Sequence, residues 1–122
     1  MPKKILVADD EQFILDLVVM RLQEANYEVF AASDGMQAVK MAHDSKPDLI
    51  ILDVKMPAGG GLGTHETLRR SVHTSTIPII FITAYDNEDI RRKVAEKGAR
   101  DFIAKPFKNE ELLTKVKNIL GE

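Results

Sequence analysis

The chain has 122 residues, 44% hydrophobic and 30% charged, a balance that suits one globular domain and excludes a disordered or fibrous chain. Its net charge of −2 gives no overall field that would draw nucleic acid or an anionic membrane onto it. Without cysteine there are no disulfides, zinc thiolates or thiol nucleophiles; the apolar runs are too short to span a bilayer and Met1 to Lys4 open no signal-peptide core, so a cytoplasmic protein is expected.

The first run, 4-KILVA-8, predicts a strand that ends in three acids, Asp9, Asp10 and Glu11. Phe13, Ile14, Leu17, Val18 and Leu22 then recur at helical spacing, and 27-YEVFA-31 predicts a second strand. Asp34 with Gln37 resembles a capping box, opening a helix whose apolar positions are Met36, Val39 and Ala42. Pro47 precedes a third strand, 48-DLIIL-52, which leads to Asp53. Gly59, Gly60, Gly61 and Gly63 follow at a spacing that fits neither a dinucleotide fingerprint nor a Walker motif, so a flexible loop is expected. The third helix is expected over 64-THETLRRSVHT-74 and is the weakest pattern of the five. The fourth strand, 78-PIIFI-82, leads to Thr83; Ile90 and Val94 mark a fourth helix, with Gly98 suited to its C′ position. The last strand, 101-DFIA-104, leads to Lys105 and Pro106, before a helix spaced by Leu112, Leu113, Val116, Ile119 and Leu120.

Strands that are almost continuously apolar are buried on both faces, as in a parallel sheet covered by helices. The alternation therefore predicts an open, doubly wound α/β sheet, whose ligands bind at the carboxyl ends of the strands. Those ends carry Asp9, Asp10, Asp53, Thr83 and Lys105. Three nearby carboxylates repel unless a hard cation compensates them, and Mg²⁺, bound through carboxylates and a phosphate, fits best. Asp53 is the best placed nucleophile toward a phosphoryl group whose oxygens the lysine and metal would neutralise. Taken singly, each residue has a plainer role: an acid at a helix N-terminus, a loop acid, a satisfied strand hydroxyl, a solvated cation. Four such coincidences at four strand ends favour a site. His43, His65 and His73 have no metal-ligand spacing and are expected at the surface.

The ordered set 6-LVADDE-11, 49-LIILDVKMP-57, 79-IIFITA-84 and 102-FIAKPF-107 resembles the receiver domain of two-component response regulators, the chemotaxis-regulator-like superfamily, over almost the whole chain. The resemblance implies a flavodoxin-like (βα)5 fold with strand order 2-1-3-4-5 and a single receiver domain over residues 1–122. It makes Asp53 the acceptor of a phosphoryl group from a sensor histidine kinase or histidine phosphotransfer protein. Asp9, Asp10, Asp53 and the Lys55 carbonyl would hold Mg²⁺; Lys105, joined to Pro106 by a cis bond, would contact the phosphoryl oxygens. Thr83 and Phe102 would form the switch. Lys55 and Tyr85 stand where the family tunes hydrolysis, and their bulk implies a long-lived phosphoaspartate. One departure is Gly60, where the family usually has an acid or amide.

Two other functions fit less well. A flavin or nucleotide carrier needs a phosphate cradle after the first strand, where Asp9 and Asp10 would repel it. An aspartate-nucleophile phosphatase places its nucleophile in a DxD there, and neither alternative uses both Thr83 and Lys105. The expected activity is a signalling switch, not a turnover enzyme beyond its own phosphotransfer and dephosphorylation. Residues 91–108 hold seven Lys/Arg against two Asp/Glu, over the helix 4/strand 5/helix 5 surface where an output protein, or a dimer mate after phosphorylation, would bind. Direct nucleic-acid or membrane binding is not expected, and the end at 119-ILGE-122 reads as a stand-alone regulator or a piece cut before a linker.

Overall fold

A computed structural model describes residues 2–56 and 60–122. Ten elements alternate along them: β1 (Lys4–Ala8), α1 (Gln12–Glu24), β2 (Glu28–Ala32), α2 (Gly35–Ser45), β3 (Leu49–Asp53), α3 (Gly60–Arg70), β4 (Ile79–Thr83), α4 (Glu88–Glu96), β5 (Asp101–Ala104) and α5 (Asn109–Leu120). All four strand pairings are parallel, in the order β2-β1-β3-β4-β5. This is the flavodoxin-like (βα)5 architecture expected.

Alternation along each strand divides the core in two. Leu6, Ala8, Ile50, Leu52, Ile79 and Phe81 face one side, against Ala38 and Ala42 of α2, Leu68 of α3, and Ile90 and Val94 of α4. Ile5, Val7, Leu49, Ile51, Ile80 and Ile82 face the other, against Leu15, Val18 and Leu22 of α1 and Leu112 and Val116 of α5. Every residue of β3 and β4 is buried, which accounts for their unbroken apolar sequence.

Several boundaries shift. The strands expected at 27–31, 48–52 and 78–82 each lie one residue later, because backbone hydrogen bonding decides the ends. Tyr27 still donates its N–H back to Leu22 of the preceding helix, and Pro78 has no N–H to give a ladder. Asp53 and Thr83 thereby become the last residues of their strands. Gln37 donates its N–H to Asp34 Oδ1 as a capping box requires, but its own side chain reaches back to Ser33. Gly98 occupies its C′ position with φ +78°. Phe13 and Met36, expected on apolar helix faces, are 77% and 74% exposed.

The largest difference concerns α3. It starts at Gly60, so Gly60, Gly61 and Gly63 lie in its first turn and not in a flexible loop; Gly59 falls outside the described residues. A Cβ on Gly61 would stand 2.0 Å from the Asp53 carbonyl oxygen, so only glycine lets the helix approach the end of β3 this closely. At the other end α3 stops at Arg70 rather than 74, where the Thr74 hydroxyl donates to the Leu68 carbonyl and Arg69 to that of Ile77.

Gly61→Ala is expected to lose about 1–3 kcal/mol of stability to that overlap. Gly63→Ala, with nothing within 4 Å of its added carbon, should be neutral or slightly stabilising. Urea denaturation of the two variants beside the parent checks the contrast.

Candidate functional site

The strand order sets β1, β3, β4 and β5 side by side, so their carboxyl ends share one rim. Asp9 follows β1 and is 1% exposed; Asp53 ends β3 and is 3% exposed. Asp10, beside them, is exposed. One oxygen from each of these three carboxylates lies within 4.8 Å of the others, the only such group of potential metal ligands among the described residues.

The Lys105 side chain, almost fully buried, reaches into the cluster from the end of β5. Its ammonium lies 2.8 Å from Asp9 Oδ2, 2.9 Å from Glu11 Oε1 and 3.5 Å from Asp53 Oδ2. The Asp9 Oδ2 contact is a close ion pair without a directed hydrogen bond, so that buried oxygen keeps acceptor capacity. Asp9 Oδ1 accepts the Glu11 N–H, and Asp53 Oδ1 accepts the Lys55 N–H at 3.4 Å. Glu11 is the N-cap residue of α1, but its carboxylate makes no cap; it points at Lys105 instead. The Lys105–Pro106 bond is cis, as the resemblance implied.

Burial, and after it the charge of Asp9, push the Asp53 carboxyl up to about 7, against the pull of Lys105 and the Lys55 N–H. Burial opposes the Lys105 ammonium, but the carboxylates around it, Asp9 and Glu11 foremost, hold it above the usual lysine value. One cation is thus set against two buried carboxylates, a deficit of positive charge that a divalent ion offsets. An octahedral ion with bonds of about 2.1 Å spans roughly 4.2 Å between opposite ligands, close to the spread of the three oxygens. The donor set, all hard oxygen with an acceptor-capable Asp9 Oδ2, fits magnesium.

A cleft of about 280 Å³ opens over Asp53, lined by Asp10, Glu11, Asp53, Lys55, Ala84 and Tyr85. Lys55 extends its ammonium over the Tyr85 ring, 4.5 Å from the centroid, so two residues that follow different strands close one side of the mouth together. Thr83 is fully buried and its hydroxyl oxygen accepts the Tyr85 N–H at 3.0 Å. Phe102, half-buried, lies against the core side that holds Phe81, under the Arg91 guanidinium at 4.9 Å.

Of the three histidines expected at the surface, His73 is exposed and His43 half-buried, but His65 departs from expectation. His65 is 2% exposed, stacked near Phe81 at 5.5 Å, with neither ring nitrogen bonded to a described residue. Burial, then the charges of Arg69 and Lys97, lower it to about 4, so it packs as a neutral ring. His43 and His73 meet edge to face, with ring centroids 6.0 Å apart. The basic stretch 91–108 is largely neutralised in place: Arg91 pairs with Asp86, Arg92 and Lys93 with Asp89, and Lys97 with Glu66.

The profile of the response regulator receiver domain matches residues 5–117. The chain belongs to this family. It is 42% identical over 120 residues to the alkaline phosphatase synthesis transcriptional regulatory protein PhoP of Bacillus subtilis, covering 98% of this chain and 49% of that protein. Among solved structures it is similar to the chemotaxis protein CheY4 of Vibrio cholerae, at TM-score 0.92 and 31% identity over 98% of this chain and 99% of that one. It also resembles the receiver domain of the Pseudomonas aeruginosa sensor histidine kinase PA1611, at TM-score 0.92 and 28% identity over the full length of both, a structure with a magnesium ion coordinated in its active-site cleft. The chain spans about half the length of the curated relatives it matches. Membership makes it a signalling receiver domain, a phospho-accepting switch, and no described helix is long and apolar enough to cross a membrane.

The raised Asp53 carboxyl sets a sign for stability. With its folded value near 7 and its ordinary value at 3.8, the metal-free folded state holds a proton that the unfolded state releases. The associated stability is fully present below pH 3.8 and lost as pH rises through about 7. In chelator, Asp53→Asn should therefore be more stable than the parent at pH 8, by about 1–3 kcal/mol, with the gain vanishing in acid. Thermal melts of both proteins across that range measure it.

Proposed function

We propose that this receiver domain takes a phosphoryl group onto Asp53 from the phosphohistidine of a sensor histidine kinase or histidine phosphotransfer protein, in a two-component system or phosphorelay. The observation that carries the reading is a buried carboxylate at the floor of an open cleft, 3.5 Å from a buried ammonium, with an exposed acid, Asp10, beside it. An Asp53 oxygen attacks phosphorus; the new P–O bond forms as the P–N bond breaks, and the imidazole leaves with the electron pair. Asp9, Asp10, Asp53 and the Lys55 carbonyl would hold Mg²⁺, which supplies positive charge to the phosphoryl oxygens and keeps Asp53 ionised at neutral pH.

Lys105 is already held as an ion pair 3.5 Å from Asp53 and would turn toward a phosphoryl oxygen there. The Thr83 hydroxyl accepts from Tyr85 while no described residue takes its proton, so a χ1 rotation is all it needs to donate toward the phosphoryl group. Withdrawal of Thr83 from above β4 then leaves room for Phe102, which adjoins a groove of about 210 Å³ lined by Arg91, Val94, Ala95 and Ala99. These two movements would change the α4/β5/α5 face, where we place the output partner or a phosphorylation-dependent dimer contact. Because the cations there are mostly paired, recognition would rest on shape and on exchange of ion pairs more than on net positive charge. Direct nucleic-acid contact by these residues is not part of the reading. The stacked Lys55 and Tyr85 narrow the approach of water to Asp53 and favour a long-lived phosphorylated state.

Incubation with acetyl phosphate and Mg²⁺, followed by intact mass, tests the acceptor. One added phosphoryl group is expected in the parent, and none in Asp53→Ala or in chelator. Full modification of Asp53→Ala, or a parent that gains nothing from acetyl phosphate and from a phosphohistidine donor, would overturn the assignment.

A further inference from the structure

Glu11 has no role in the proposed chemistry, yet it makes one of the closest contacts at the site. The ammonium of Lys105 has three hydrogens, and three carboxylates surround it: Asp9 at 2.8 Å, Glu11 at 2.9 Å and Asp53 at 3.5 Å. Of the three, only the Glu11 carboxylate takes a directed hydrogen bond from it, so a phosphoryl oxygen on Asp53 competes with Glu11 for the ammonium. For the lysine to turn fully to that oxygen, one of its present contacts must loosen.

The three are unequal. Asp9 is buried and fixed by the Glu11 N–H, and Asp53 carries the incoming group. The Glu11 side chain is 56% exposed, and its carboxylate is held by Lys105 alone among the described residues. Released, it returns to water and stays beside the positive end of α1, so its departure costs little. Asp9 has no such exit.

We propose that Glu11 is an internal competitor for the phosphoryl group: a glutamate latch that holds Lys105 in the unphosphorylated state and is displaced as Asp53 is modified. The proposal rests on Asp53 as acceptor. It makes Glu11 a positioning residue that acts through Lys105. The latch sets the affinity of the site for phosphoryl-like anions.

Beryllofluoride, an anion with phosphoryl geometry, probes this without turnover. Calorimetric titration at saturating Mg²⁺ compares the parent with Glu11→Gln and Glu11→Asp. Glu11→Gln should bind it about three- to ten-fold more tightly. Glu11→Asp keeps the charge but shortens the reach to Lys105, and should gain in the same direction. A gain confined to Glu11→Gln would mean a general charge effect and overturn the latch; unchanged or weaker binding in both variants would overturn it as well. A parent that binds Mg²⁺ but no beryllofluoride would instead remove the acceptor reading on which the latch stands, and the latch with it.

Discussion

The ammonium of Lys105, held between the buried carboxylates of Asp9 and Asp53, is the constraint on which the site depends. These three groups come from the ends of β1, β3 and β5, which the order β2-β1-β3-β4-β5 brings to one rim. Burying two carboxylates with one cation is unfavourable unless further charge or hydrogen bonds compensate. The fold supplies part of this through the N–H groups of Glu11 and Lys55. What remains is a site poised for positive charge, and therefore for a divalent ion and the anion that ion would bring.

The same arrangement explains why the surrounding elements are rigid where they are. β3 and β4 are buried on both faces by aliphatic side chains, so Asp53 and Thr83, the proposed acceptor and switch residues, stand on the two best-anchored strands. α3 packs so close to the end of β3 that Gly61 admits no side chain against the Asp53 carbonyl. Of the groups proposed to move, Thr83 is buried, while Glu11 and Phe102 lie nearer the surface. Phe102 is half-buried beside a groove, and Lys55 and Tyr85 meet over the cleft by a single cation–π contact.

Much of this was legible in the sequence because parallel strands buried on both faces announce themselves as unbroken apolar runs. Ligand chemistry then concentrates where those runs stop. Asp9, Asp53, Thr83 and Lys105 could be found by that rule alone. The errors lie where a tertiary contact overrides local pattern. Glycines 60, 61 and 63 look like a loop until the backbone at the end of β3 is placed against Gly60 and Gly61. His65 looks like a surface residue because its burial depends on packing against Phe81, fully buried on β4. The pairs Glu11 with Lys105 and His43 with His73 join residues far apart in sequence, which no periodicity reports.

The most direct measurement is the unfolding free energy of Lys105→Met in urea, with chelator and with saturating Mg²⁺. If the ammonium compensates two buried carboxylates, the variant should lose about 3–5 kcal/mol in chelator and recover most of it with the metal. Equal stability of variant and parent in chelator, or a loss that Mg²⁺ leaves untouched, would contradict the account.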